Sequence, residues 1–334
     1  MPHRKILVLV GPTASGKTAV SLHLARALGG EIISADSRQC YRLLDIGTAK
    51  PSMEERDGIP HHFLDFLPPD APYNAGLFGT QGRVVIDEIF TRGRLPIVVG
   101  GSGLYVRSLI DGLFDGPGAD PEFREFLEQR LREEGIASLQ KDLEKVDPDS
   151  ARNIDPTKPR RIIRALEVFH LTGIPLSEHH KIVSEISFAS IQIGMLWERA
   201  DLYARINRRC EQMIERGLLQ EVDKLTEMGY DRKLQALNTV GYAEGFAFRA
   251  GEITREEMVV RFKQNSRRYA KRQMTWFRAD PRVRWMPVQA SDSPESVAIR
   301  IVAGLSDSPP QSPSLHSPSP LRGAEGERGK CEKE

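Results

Sequence analysis

The sequence predicts an α/β fold: a P-loop NTPase-like parallel sheet flanked by helices, with a helical insertion domain. Three observations predict it. An apolar run at residues 6–10 leads directly into "GPTASGKT" at 11–18 and then into a helical pattern. Short apolar strands alternate with helical periodicity to about residue 110, as in a parallel sheet covered by helices. From about residue 115 the strands give way to charged amphipathic helices.

Each element has a local reason. Residues 6–10 (ILVLV) read as a buried strand and 18–28 as a helix whose apolar positions are Val20, Leu22, Leu24, Ala25 and Leu28. Residues 31–35 form a second strand, 83–90 a helix, and 95–99 a third strand closed by Gly100 and Gly101. Asp120 and Pro121 open the helix "PEFREFLEQRLREE", and "LQKDLEKV" and "KPRRIIRALEVFHLTG" supply further helices. A core strand returns at 191–197, followed by two long helices ("DLYARINRRCEQMIERG" and "REEMVVRFKQNSRRYAKRQMTWFR") and a last strand, "VRWMPV". The expected organisation is a core in two parts, 1–114 and 190–304, an insertion at 115–189, and a tail at 305–334. The tail is rich in Ser, Pro and charge and has too little apolar surface to pack, so disorder is expected.

Composition narrows the class. The 334 residues are 40% hydrophobic and 28% charged, which suits one large or two smaller globular domains. No apolar stretch approaches the roughly 20 residues of a membrane span, and the N-terminus does not read as a secretion signal. Cys40, Cys210 and Cys331 are far apart with no pair at metal-ligand spacing, as expected of reduced thiols in the cytoplasm. A net charge of +1 announces no nucleic-acid partner, but the distribution is telling: seven basic residues and no acidic one fall between 259 and 278. Lys263, Arg267 and Lys271 are four apart on one helical face, with Arg268 and Arg272 beside them. Such a stripe fits a phosphate backbone, although a solvated helix face is the commoner cause.

Gly11, four residues, then Gly16, Lys17 and Thr18 is the spacing of a phosphate-binding loop, and the strand before and helix after supply its context. Backbone N–H groups from Gly11, Pro12, Thr13, Ala14, Ser15, Gly16 and Lys17 (Pro12 contributing none) would surround an anion at the positive end of the helix. Lys17 would neutralise phosphate oxygens, and the Thr18 hydroxyl would ligate Mg²⁺. The strand at 95–99 ends without an acid; only "EIISADS" ends in one, Asp36. Residues beyond the C-terminal strand ends face the ligand crevice of such sheets, so Asp36 belongs near the loop's ligand. A Mg²⁺ ligand, a cap for the following segment and a catalytic base all remain open for it on these grounds.

Taken with the loop, "ISADSRQCYRLLDIGTAKP" (33–51) resembles the tRNA dimethylallyltransferase family. "PHHFLDF", "VVGGSGLY", "RALEVF", "LNTVGY" and "KRQMTWFR" match that family in its order, over about residues 5–290. The resemblance implies transfer of a dimethylallyl group from dimethylallyl diphosphate to N6 of the adenine just 3′ of the anticodon in the tRNA anticodon stem-loop. The loop would then hold the diphosphate of an isoprenoid, with Mg²⁺. Asp36 matches the catalytic Asp, Thr13 a residue beside the substrate and Arg205 an arginine near the diphosphate; with Lys17 they form the implied catalytic set. Ser102 stands where the family usually has Thr and keeps the hydroxyl that contacts tRNA. Arg124 matches another tRNA-contacting position.

The resemblance extends tRNA contact to four stretches: Asp36, Ser37, Arg38 and Gln39; Arg160, Arg161, Ile162, Ile163 and Arg164; Asn238, Thr239, Val240, Gly241, Tyr242 and Ala243; and Lys271, Arg272, Gln273, Met274, Thr275, Trp276, Phe277 and Arg278. Ala243 replaces a frequent basic residue, and Cys40 a common Val, which marks a packing position. Cys331 stands alone where eukaryotic members carry a zinc finger, so the chain resembles the shorter bacterial type. A monomer without membrane attachment is expected. The His61–His62 and His179–His180 pairs lack partners at metal spacing and read as structural or surface residues. Prenylation of AMP, ADP or ATP is the near alternative; a small-molecule P-loop kinase and a non-catalytic RNA-binding protein are further ones.

Overall fold

A computed structural model describes residues 4–112, 116–181 and 186–306. The tail beyond 306, Cys331 included, lies outside the described residues. Residues 4–111 and 186–306 make one compact unit, and 112–181 a second.

The first unit opens with β1 (Lys5–Val10), α1 (Lys17–Leu28), β2 (Gly30–Ala35), the single turn α2 (Met53–Arg56), β3 (His61–His62), α3 (Ala75–Thr91), β4 (Leu95–Gly100) and α4 (Gly103–Asp111). The second unit is α5 (Pro121–Glu134), α6 (Ile136–Val146), α7 (Pro148–Asn153), α8 (Pro159–Thr172) and α9 (Leu176–His179). The chain then returns to the first unit with β5 (Ala189–Trp197), α10 (Arg199–Glu215), α11 (Leu218–Glu227), α12 (Tyr242–Arg249), α13 (Arg255–Arg278), β6 (Val283–Val288) and α14 (Pro294–Ser306).

The six strands pair in the order β3-β2-β4-β1-β5-β6, every pair parallel. β2 is buried along its whole length, and β1 and β4 along all but the first residue. Helices cover both faces of a parallel sheet, so its strands read as unbroken apolar runs rather than alternating ones. The expected start of α5 is realised, with Asp120 accepting from the Phe123 N–H before Pro121; Gly29 closes α1 in the left-handed conformation, and Thr254 and Glu257 form a capping box at α13.

Several elements depart from the sequence reading. Helix α3 begins at Ala75, eight residues before the expected start, with Asn74 as its cap. Gly76, Gly79 and Gly82 weaken the helical signal there, yet two of them are what bring α3 onto α4. A Cβ on Gly79 would lie 2.2 Å from Ser108 Oγ, and one on Gly82 2.6 Å from Leu109 Cδ1. The two-residue β3, paired through Ile32 and His61, is too short to show a period, so the strand at 95–100 is the fourth. Helices α2, α4, α7, α9, α11, α12 and α14 have no counterpart in the sequence reading.

The second unit has its own core of Leu127, Leu139, Leu143, Ile162, Ile163 and Leu166, with Phe123 and Leu176 packed against it. Fully buried Glu167 is matched from two sides, by Arg124 at 2.6 Å and Arg164 at 2.5 Å, and accepts the Asp120 N–H at 2.8 Å. These bonds hold its carboxyl below the usual range against the opposing effect of burial.

A candidate active site at the strand ends

The segment after β1 turns back on itself through Ala14 (φ 61°) and Gly16 (φ 90°), and α1 starts at Lys17. Gly16 suits this left-handed turn because it has no Cβ to clash. Three successive loop residues are gripped by three different elements. Thr13 donates its N–H to Gln273 Oε1 on α13 (2.8 Å), the Ala14 carbonyl accepts from Arg205 Nε on α10 (2.8 Å), and the Ser15 carbonyl accepts from the Trp197 indole on β5 (3.0 Å). The loop is thus set by side chains as well as by its own backbone.

A cavity of about 210 Å³ opens beside the loop. Thr13, Ala14, Lys17 and Thr18 line it from the loop side, and Asp36, Ser37, Arg38 and Gln39 from the end of β2. Thr239 and Val240 close another side, and Tyr269 and Gln273 reach it from α13. The structure therefore brings the loop after β1 and the acid after β2 to one cavity, although β4 lies between those two strands in the sheet.

Electrostatics single out Lys17. Its ammonium donates to the Pro12 carbonyl at 2.7 Å, and burial, with Arg209 adding repulsion, lowers its pKa to about 7 despite the opposing pull of Asp36. Arg209, a cavity residue not foreseen from the sequence, makes no hydrogen bond among the described residues, and burial lowers its pKa too. Arg205 and Arg209 are one helical turn apart on α10, a spacing that puts both on one face. That spacing was the available signal.

Asp36 uses Oδ1 to cap the turn after β2, accepting the N–H groups of Arg38 (2.8 Å) and Gln39 (3.3 Å). Its capping role is thereby realised, and Oδ2 has no partner among the described residues. Gln39 is held at both ends of its amide, by Ser34 and by the carbonyls of Thr48 and Ala49. Ser102 Oγ accepts the Ser37 N–H at 3.3 Å, bringing two expected residues into contact. Cys40 is buried, and burial with the Asp36 charge pushes its thiol up to about 12, in keeping with a packing role. His61 proves to line the cavity; burial lowers its pKa, and its Nδ1 lies 2.8 Å from the Ile59 carbonyl.

The remaining expected residues divide by exposure. Arg160 and Arg161 are exposed, whereas Ile162 and Ile163 are core residues of the second unit. Asn238 is exposed, Ala243 and Arg164 are partly so, and Gly241 is buried. Tyr242 is buried with its hydroxyl on Glu221, and that carboxylate also accepts the N–H groups of Asp45, Ile46 and Gly47. On α13, Lys271, Arg272, Thr275 and Arg278 are exposed, Met274 and Trp276 half-buried, and Gln273 and Phe277 buried. Lys263 pairs with Glu211, and Arg267 donates to Asn207, so part of the basic stripe is tied to α10. Among the described residues there is no cluster of three or more metal-ligating side chains, and no helix is long and apolar enough to cross a membrane.

Known proteins resemble this chain in sequence and in structure. The profile of the family described as IPP transferase matches residues 39–280, and that of isopentenyl transferase residues 4–73. The chain is 47% identical over 285 residues to tRNA dimethylallyltransferase 1 of Pelobacter propionicus, covering 84% of this chain and 92% of that protein. It is 44% identical to tRNA dimethylallyltransferase of Carboxydothermus hydrogenoformans, covering 89% and 96%. The solved structure of the full-length tRNA isopentenylpyrophosphate transferase of Bacillus halodurans aligns with a TM-score of 0.67 at 42% identity, over 91% of this chain and 97% of that one. A eukaryotic dimethylallyltransferase acting on tRNA aligns with a TM-score of 0.80 at 27% identity, over 92% and 81%. With a family profile spanning most of its length and such relatives, the chain belongs to the tRNA dimethylallyltransferase family.

Proposed function

We propose that the protein transfers a dimethylallyl group from dimethylallyl diphosphate to N6 of the adenine 3′-adjacent to the anticodon, in tRNAs reading codons that start with U. The products are N6-isopentenyladenosine and diphosphate. The observation that carries the reading is the convergence of Lys17, Arg209 and Asp36 on one small cavity beside the phosphate loop. The names of relatives that align over nearly their full length support it.

The chemistry asks for charge at two places. As the allylic carbon–oxygen bond breaks, the departing diphosphate gathers negative charge, which Lys17, Arg209 and the N–H groups at the start of α1 are placed to neutralise. A diphosphate beside Lys17 and Arg209 favours the charged forms that burial opposes. Arg205, already bonded to the loop, steadies it. Mg²⁺ fits this cavity: the exposed Thr18 hydroxyl can bind it, with diphosphate oxygens and water completing a hard-oxygen set. It would supply further neutralisation of the leaving group.

The adenine amine is a weak nucleophile because its lone pair is delocalised into the ring. As the N6–carbon bond forms, Asp36 accepts the amine proton on the oxygen that does not cap the turn. The cavity suits one small ligand and a single base, so the tRNA presents its adenine flipped out of the stack. The exposed Arg160, Arg161, Lys271, Arg272 and Arg278, with Arg124 and Asn238, are the proposed backbone and loop contacts. The protein would act as a cytoplasmic monomer.

Incubation with labelled dimethylallyl diphosphate and tRNA, AMP or neither tests the reading. Label appearing in tRNA alone is the expected result. Label in AMP alone would make the protein an adenylate prenyltransferase, and no transfer at all would overturn the proposal.

A further inference from the structure

We propose that Gln273 is a positioning residue for the phosphate loop, setting the backbone that receives the diphosphate rather than touching RNA; this rests on the diphosphate reading above. Gln273 lies in the stretch where the family resemblance implies tRNA contact, yet it is only 6% exposed, while its neighbours Lys271 and Arg272 face solvent. Both ends of its amide are committed: Oε1 accepts the Thr13 N–H at 2.8 Å, and Nε2 donates to the Gly101 carbonyl at 3.0 Å. The amide spans the loop after β1 and the loop after β4, two strands that are neighbours in the sheet.

The fit around the amide is close. A Cβ on Gly101 would stand 2.2 Å from Gln273 Nε2, so only glycine lets the side chain reach that carbonyl. The three grips on the loop also differ in kind. Arg205 and Trp197 hold carbonyls, whereas Gln273 takes an N–H. The Thr13 N–H is therefore turned to the protein, and the N–H groups at the start of α1, which have no intrahelical acceptors, are left to the anion. Losing the amide would free Thr13 and leave a half-buried N–H and a buried carbonyl unpaired.

The test reads the affinity of the intact chain for inorganic pyrophosphate and, separately, for tRNA. Gln273→Met keeps the length of the side chain and abolishes both bonds. Pyrophosphate affinity should fall about tenfold, the value of one or two positioning bonds, with tRNA affinity and its salt dependence unchanged. Gln273→Glu adds a pH signature. The ionised carboxylate cannot donate to Gly101, but the protonated form can, so the deficit relative to the parent should be large at pH 8 and shrink as pH falls toward 6. A buried carboxyl titrates high enough for this window. Unchanged pyrophosphate affinity in Gln273→Met, a flatter tRNA salt dependence in that variant, or a pH-independent deficit in Gln273→Glu would each overturn the assignment. Pyrophosphate binding is read without turnover, so failure of the transfer assay would count against the activity alone.

Discussion

Arg205 and Trp197 act as a pair on the phosphate loop. The guanidinium lies 4.4 Å over the indole ring, and the two side chains bond the adjacent carbonyls of Ala14 and Ser15. A planar cation serves here because it can stack and donate at once, which an ammonium cannot.

Arg205→Lys should therefore behave as a loss despite keeping the charge. Pyrophosphate affinity should drop about tenfold, with a smaller fall in tRNA affinity, as measured by calorimetric titration. Parental affinity in this variant would show that charge alone matters at residue 205.

Lys17 should cost the folded protein stability. Its folded pKa, about 7, lies below the value of 10.5 for an unperturbed lysine, so the unfolded chain binds the proton more strongly. The penalty is full below pH 7, shrinks as pH rises from there, and vanishes above about 10.5. Lys17→Met should melt at a higher temperature than the parent at pH 6.5, with the gap closing toward pH 10, while pyrophosphate binding is lost. A gap independent of pH would remove the electrostatic explanation.

Asp36→Asn keeps an oxygen to cap Arg38 and Gln39 but cannot take a proton. Turnover should fall by roughly 10²- to 10⁴-fold, with the affinities for pyrophosphate and tRNA retained. Lost pyrophosphate affinity or lost Mg²⁺ dependence would instead place Asp36 at the metal.

Lys271→Ala with Arg272→Ala should weaken tRNA binding and lower its log–log salt slope by about 0.7–0.9 for each phosphate that is no longer neutralised. Pyrophosphate affinity should not change, which is the reverse of the pattern expected for Gln273, one residue further on.

Glu167→Ala should destabilise the protein by about 2–3 kcal/mol, because Arg124 and Arg164 lose a buried partner while keeping some access to water. A urea titration should show the loss as a lower midpoint at unchanged slope; a parental midpoint would show that water replaces the carboxylate for both guanidiniums.

The parts of the site set by local rules were legible in the sequence. The loop has a fixed spacing, Asp36 ends an apolar strand, and Asp120 with Pro121 marks the start of α5. What escaped depends on partners far along the chain. Gln273 sits among basic and aromatic residues and looks like its neighbours until α13 is laid against the loop. Trp197 ends an apolar run and gives no hint that its N–H is used. Exposure was equally hidden, since Ile162 and Tyr242 lie in motifs whose basic and polar members face outward. Glycine misled in α3, where low helical propensity is the condition for close packing on α4.

The three grips on the loop bear on when the site can exist during synthesis. They span 182, 191 and 260 residues of sequence. A nascent chain that has emerged only as far as α8 carries Gly11 to Thr18 complete, with none of their three side-chain partners yet made. β1 also awaits β5 as one of its two sheet neighbours. Contacts of such separation form slowly and late. The last of the three grips thus arrives only with α13, and a product truncated before that helix would keep the motif without its full set of side-chain partners.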